Sequence, residues 1–278
     1  MTDCYRPCTI QELGDSLTRL TPESIVLAGG TDLIIRMRNC GLHSDIILSL
    51  SDIDELKKIN ITPHKAEIGA MATMHQIQTA LDGLDDLQAL ADAAGGVGSP
   101  QIRNKGTIGG NVANSSPAGD LPPVLWLLNA TAEILGPGGL QRSVPVQEIP
   151  VGNQKNTLAL GEVIVRFVIN RDALAGWKSA FVKLGHRSQV TISRIGIAMA
   201  MKQDDHQIIE DVRVVVGAIK PVPFPLPAAE EILRGRRLDP ALAIELGKTF
   251  KGNTRRVYKE NAAKGVFEDI LLRFQHPI

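Results

Sequence analysis

Short apolar runs, each broken by glycine or a polar turn, pattern most of this chain. Residues 10–20 have helical spacing, with Thr9 placed to cap them and Glu12 three residues on to complete a capping box. Ile25-Val26-Leu27-Ala28 is continuously apolar and predicts a buried strand. It runs into Gly29-Gly30-Thr31-Asp32 and then into 33–38, which reads as helix. A strand at 45–50, a short helix at 53–59 and a strand at 67–70 follow. Residues 74–81 predict a Thr73-capped helix, and 84–94 a second one ended by Gly95-Gly96. Residues 121–129 read as a helix with prolines in its first turn. Strands are predicted at 131–135, 141–144 and 163–169, the first two joined by Gly136-Pro137-Gly138-Gly139. The polar segment 150–157 is expected to be an exposed loop.

A boundary is expected near 170–176. Beyond it, 179–184, 196–202 and 212–218 are strand-like, the last two forming a hairpin that turns at Asp204-Asp205-His206. The run from Pro221 to Pro227 reads as an extended, polyproline-like connector. Helices are predicted at 228–234, 240–250 and roughly 258–274.

The glycines concentrate at 95–120, GGVGSPQIRNKGTIGGNVANSSPAGD, a stretch too polar for core and too glycine-rich for a regular helix or strand. Glycine there lets the backbone approach a ligand closely, and consecutive N–H groups can form an anion nest without a lysine. Gly106-Thr107-Ile108-Gly109-Gly110-Asn111 is therefore expected to lie against a diphosphate-bearing cofactor. The upstream turn at Gly29-Gly30 offers a related device, since strand, glycine turn and helix start together can hold a phosphate on helix N–H groups. Thr31 and Asp32 could equally be plain caps. Asp120, just past the second stretch, suits a hydroxyl-rich ligand part such as a ribose or ribityl chain, or caps the helix that begins at Leu121.

Composition narrows the choice. With 278 residues, 44% of them hydrophobic, the chain can bury two cores. Lys plus Arg equals Asp plus Glu at 30 each, so no basic surplus points to nucleic acid. No apolar run reaches the roughly 18 residues of a membrane span, and the N-terminus lacks a secretory pattern. Cys4, Cys8 and Cys40 are too few and too scattered for a disulfide framework or a metal set, which points to a reducing cytoplasm. No G-x-G-x-x-G follows a strand, so a Rossmann fold is not indicated. Ser115-Ser116-Pro117 lacks a nucleophile elbow, and the six histidines lack metal-ligand spacing.

AGGTDL at 28–33 followed by SPQIRNKGTIGGNVANSSPAGDLPP at 99–123 resembles the FAD-binding subunits of molybdenum hydroxylases, such as the medium subunit of carbon monoxide dehydrogenase and the flavin subunits of xanthine and nicotinate dehydrogenases. YRPCTIQEL at 5–13 resembles that family's opening and SAFVKLGHRSQVTIS at 179–193 its C-terminal signature. The resemblance spans nearly the whole chain. It implies an α+β fold: a two-lobed FAD-binding domain of the vanillyl-alcohol-oxidase (PCMH) type at 1–172, with lobes of about 1–60 and 61–172, and a smaller C-terminal α/β domain of the carbon monoxide dehydrogenase flavoprotein type at 173–278.

By that similarity, Gly29, Gly30, Thr31, Asp32 and Leu33 would cradle the pyrophosphate, and Leu27 and Ala28 before them would also bind the cofactor. Val97, Ile102, Thr107, Gly109, Gly110, Asn111, Asn114, Ala118 and Gly119 would line the FAD groove. Asp120 would bind sugar-like hydroxyls, Ile164 would touch the adenine or its ribose, and Lys183 would lie near the flavin ring, its charge stabilising the anionic reduced form. Val97 replaces an aromatic residue that stacks on the flavin in animal xanthine enzymes, and Gln189 and Thr191 replace acidic residues. The nearest histidine to the first turn is His43, well past it, so non-covalent FAD is expected. The resemblance further implies an oxidoreductase subunit in the cytoplasm, working with a large molybdopterin-binding subunit and a small 2Fe-2S subunit. Those groups sit only in the partners, and electrons pass through FAD to NAD or another acceptor. Its organic substrate would be an N-heterocycle such as a purine or nicotinate. Two other readings remain open at this point: a stand-alone FAD-dependent oxidoreductase, which would turn over a substrate alone, and a flavin-free scaffold, which would form complexes without flavin.

Overall fold

The computed structural model describes residues 2–187, 190–254 and 256–275. Its first lobe is a three-stranded parallel sheet, ordered β1-β3-β2, built from β1 (Asp3–Tyr5), α1 (Ile10–Leu17), β2 (Ile25–Leu27), α2 (Leu33–Cys40) and β3 (Ile46–Ser49). The Thr9 hydroxyl accepts from Glu12 N–H at 3.1 Å, as expected of the cap. Glu12 reaches one residue further back than a capping box requires, accepting from Cys8 N–H at 2.8 Å. Leu13 and Leu17 are buried with Leu48, Ile53 and Leu56, and the helix ends there rather than at residue 20. By contrast α2 buries none of its residues.

The second lobe is a five-stranded antiparallel sheet ordered β4-β5-β10-β6-β7. In chain order it contains β4 (Ile59–Ile61), β5 (Lys65–Gly69), α3 (Met74–Leu81), α4 (Gln88–Gly96), α5 (Pro100–Arg103), α6 (Ile108–Asn114), α7 (Leu121–Leu127), β6 (Thr131–Leu135), β7 (Gln141–Pro145), β8 (Pro150–Gly152), β9 (Lys155–Asn156) and β10 (Val163–Asn170). Thr73 and Gln76 form a complete capping box on α3. Phe167, Ile68, Ile77, Leu90 and Val124 are buried in the core between sheet and helices.

Four expectations need correction. Helix α4 begins at Gln88, not 84, and runs through Gly95-Gly96 to its cap at Val97 instead of ending before them. The glycine-rich stretch is not free of helix, because Ser99 and Thr107 each cap a short one, α5 and α6. Residues 53–59 form a single 3-10 turn, Asp54–Lys57, and the alternation of Ile59 and Ile61 then makes β4. The polar segment 150–157 is the hairpin β8–β9, tied to the end of α6 by Asn156 Nδ2 donating to Ala113 O at 2.7 Å and Gln154 N–H to Ser115 O at 3.0 Å.

The rest is a four-stranded antiparallel sheet, β11 (Trp177–Leu184), β12 (Ile195–Gln203), β13 (Ile209–Gly217) and β14 (Phe224–Pro225), with helices α8 (Pro227–Leu233), α9 (Ala243–Lys248) and α10 (Val257–Gln275). The proline-rich connector is thus partly recruited as an edge strand, where a missing N–H is tolerated. Side chains alternate across a strand, and β12 is buried on both faces. Ala198 and Ala200 pack into the core of the second lobe, while Ile197, Met199 and Met201 pack toward the C-terminal helices. This sheet is therefore shared between two cores.

Candidate functional site

Strand β2 delivers the chain into the first glycine turn. Gly30 has φ +70°, a conformation that side chains with a Cβ resist. A Cβ on Gly29 would lie 2.0 Å from Lys105 O, so this turn rests directly on the backbone that leads into the second glycine stretch. The N–H groups of Gly29 to Leu33 have no acceptor among the described residues. Asp32 occupies the cap position of α2 but makes no capping bond. A row of free donors at a helix start is an anion site in waiting.

The second stretch works differently from the expected nest. Gly106 donates to Ile102 O, Ile108 to Ala72 O, Gly109 to Ala70 O and Asn111 to Thr107 O. Gly110 donates to the Thr107 hydroxyl at 3.2 Å. Thr107 alone in this run keeps a free N–H among the described residues. The glycines serve close packing instead: a Cβ on Gly109 would lie 2.7 Å from Ala70 Cβ, and one on Gly110 3.5 Å from Ala28 Cβ. The two bends therefore touch, and the donors come from the first.

Between them lies a cleft of about 300 Å³. Ala28, Gly29, Gly30, Thr31, Asp32 and Leu33 form one side, and Val97, Ile102, Thr107, Gly109, Gly110, Asn111 and Asn114 the other, with Ile164 at the base. Sequence reasoning missed the apolar base supplied by Val26, Leu50, Met71, Met74 and Val163, and also missed Arg36. Met71 and Met74 flank the turn on which the second stretch lies, a contact between distant segments with no local signal. Arg36 had one: a cation one turn into the helix that follows the glycine bend. Among the described residues it makes no ion pair. Asn111 Oδ1 is buried without a hydrogen-bond partner, and such an orphan implies a donor supplied by something else. None of the described histidines lines the cleft.

Five expected residues stand behind this wall. Leu27 is one residue back in β2, its Cδ1 3.2 Å from where a Gly30 Cβ would be. Ala118 and Gly119 form a turn held by Ser116, and a Cβ on Gly119 would lie 3.4 Å from Asn111 Oδ1. Asp120 does not cap α7: it has helical backbone angles and makes no capping bond. It is 6% exposed, with Oδ2 2.6 Å from Lys183 Nζ and Oδ1 accepting from the Ser193 hydroxyl. Burial pushes its carboxyl above the ordinary carboxylate range, against the opposing pull of Lys183 and Ser193. Lys183 approaches the cleft at Gly96, next to Val97, where an added Cβ would meet its Cε at 3.5 Å. Gln189 and His276 lie outside the described residues. The Thr191 hydroxyl accepts from His186 N–H.

The geometry, two glycine bends closing on one cleft with free donors on one wall and Thr107, Asn111 and Asn114 on the other, fits a phosphate-bearing nucleotide with a polar chain beyond its phosphates. Comparison with known proteins agrees. Residues 1–170 match the family described as FAD binding domain in molybdopterin dehydrogenase, and 180–265 match the CO dehydrogenase flavoprotein C-terminal domain. The chain is similar to the nicotinate dehydrogenase FAD-subunit of Eubacterium barkeri, 32% identical with 96% of this chain and 94% of that one covered. It is 29% identical to the xanthine dehydrogenase FAD-binding subunit of Escherichia coli O157:H7, covering 82% and 78%. In fold it resembles quinoline 2-oxidoreductase from Pseudomonas putida 86, with a TM-score of 0.86 at 22% identity, covering 98% and 96%.

Proposed function

The chain belongs to the FAD-binding family of molybdopterin dehydrogenases, and on that premise we propose that it is the flavin subunit of a heteromeric molybdenum hydroxylase that relays electrons for its partners. When bound, FAD supplies the redox chemistry, taking electrons from one partner and yielding them to another. The chain's own work is to bind and orient it. The free N–H groups from Gly29 to Leu33, with Arg36 beside them, would hold the diphosphate. The apolar base around Met71, Met74 and Ile164 would take the adenosine end, and Thr107, Asn111 and Asn114 on the opposite wall would supply polar groups to the cofactor's chain. Lys183 and Asp120 would stand behind the Val97 edge of the cleft, near the flavin ring.

The observation that carries this reading is the closure of two sequence-distant glycine bends on one cleft with unpaired donors on its wall. Purified protein mixed with FAD and freed of excess ligand should show flavin absorption in the visible, and release that flavin on acid denaturation. A protein that stays colourless would overturn the proposal. The same reading places the chain in the cytoplasm with a large molybdopterin subunit and a small 2Fe-2S subunit, and with NAD or another acceptor. Its similarity to nicotinate and xanthine enzymes favours an N-heterocyclic substrate. Co-expression with those two partners should yield a stable complex that reduces NAD when given such a substrate.

A further inference from the structure

Strand alternation sends Lys183 to the face of β11 opposite its neighbours. Val182 and Leu184 pack toward the C-terminal helices, whereas Phe181 joins the core of the second lobe. Lys183 therefore crosses from the C-terminal sheet toward the cleft-bearing half and meets Asp120 at 2.6 Å. Each oxygen of Asp120 is held by a different segment: Oδ2 by Lys183 of β11, Oδ1 by Ser193, which precedes β12 and is 7% exposed. Lys183 Nζ also lies 3.4 Å from Thr191 O. Lys183 is the charged group acting on Asp120; His186 and Arg187 of the intervening segment are exposed, and Arg187 donates to Val190 O.

Opposing influences act on this pair. Burial favours a neutral carboxyl; the ammonium and the hydroxyl favour a charged one. Ionised, Asp120 compensates Lys183. Protonated, it leaves a bare cation at that edge of the cleft. Ser193 is the uncharged member of the set, yet its hydroxyl donates to Asp120 Oδ1, a bond stronger to the ionised carboxylate than to the neutral acid, and so it weights the balance.

We propose that Ser193 is a positioning residue that keeps Asp120 ionised and thereby keeps the Lys183 charge compensated where the flavin ring would bind. The flavin half of this statement rests on the function proposed above; the carboxylate half does not.

The test separates them. In the apoprotein, the infrared band of a protonated buried carboxyl is followed against pH, with Asp120→Asn identifying the band. Loss of Ser193→Ala's hydrogen bond to an ionised group should carry that band to higher pH than in the wild type, by about one pH unit or more. Ser193→Thr should restore the wild-type titration, which distinguishes the hydroxyl's role from mere filling of space. Equal titration in wild type and Ser193→Ala would overturn the proposal, as would a band present in the wild type up to pH 9. In the FAD-loaded protein, Ser193→Ala should raise the flavin midpoint potential, most where Asp120 has become neutral in the variant but not in the wild type. An unchanged potential across that range would overturn the link to the flavin. Failure of FAD to bind would sink the proposed function while the infrared result still decides the role of Ser193.

Discussion

At the residue scale, the glycines of the two bends do different jobs. Gly30 is needed for its backbone conformation and Gly29 for its missing side chain. Gly29→Ala would place a methyl group against Lys105 O, a backbone atom that cannot rotate away. We expect a loss of about 2–3 kcal/mol in urea unfolding, together with impaired FAD binding. Arg36 invites a complementary test, because it lines the cleft and makes no ion pair among the described residues. Arg36→Gln should leave unfolding nearly unchanged but weaken FAD binding about tenfold, the equivalent of ~1.4 kcal/mol, with a shallower dependence on salt in titration calorimetry. Equal salt dependence in variant and wild type would mean that the arginine does not meet the phosphates.

The elements show what could be read in advance. Helices α3 and α7 and the strands β5, β6, β7 and β10 of the five-stranded sheet carry apolar patterns, caps or prolines that made them legible, whereas β4 did not. The glycine stretch was legible as a segment that packs closely against something but not as two helices, because glycine's low helix propensity is overridden where Ser99 and Thr107 cap and Ala70 demands a bare backbone. The polar hairpin β8–β9 was hidden for the same kind of reason: it is held by bonds to Ala113 and Ser115, which no local pattern announces. The glycine walls of the cleft were visible in sequence, and its apolar base was not, since Leu50, Met71 and Val163 come from three separate elements or turns. One wall residue, Glu162, is locked by Arg142, whose hydrogen bonds hold its carboxyl below the ordinary value of 4.5. Its contribution to stability is present above the unfolded pKa and fades as pH falls through the lower folded one. Glu162→Gln should therefore flatten the fall in denaturation midpoint below about pH 4.5, measured against the wild type. An unaltered acid limb would assign that sensitivity to other carboxylates.

At the scale of the whole molecule, the C-terminal sheet presents Phe181, Ala198, Ala200 and Val215 to the second-lobe core and Ile197, Met199, Met201 and Val214 to its own helices. Ser179 strengthens the junction, its one hydroxyl proton shared between Asp85 O and Asp86 O while its oxygen accepts from Ala89 N–H. Arg273, near the end of α10, pairs with Asp92 of α4 at 2.9 Å. A chain cut at the expected boundary after residue 172 would bare one apolar side of α4 and α7. Such a fragment should aggregate or unfold without a cooperative transition in denaturant, whereas the full chain should unfold cooperatively. A fragment that unfolds as sharply as the parent would show that the shared sheet is dispensable to the second lobe.

The bend at Gly29 rests on the main chain at Lys105, far downstream, and this sets a timetable for biosynthesis. A nascent polypeptide halted before Lys105 owns only half of the cradle, however well its first strands have formed. Both walls of the cofactor cleft therefore exist only once translation has passed the second bend.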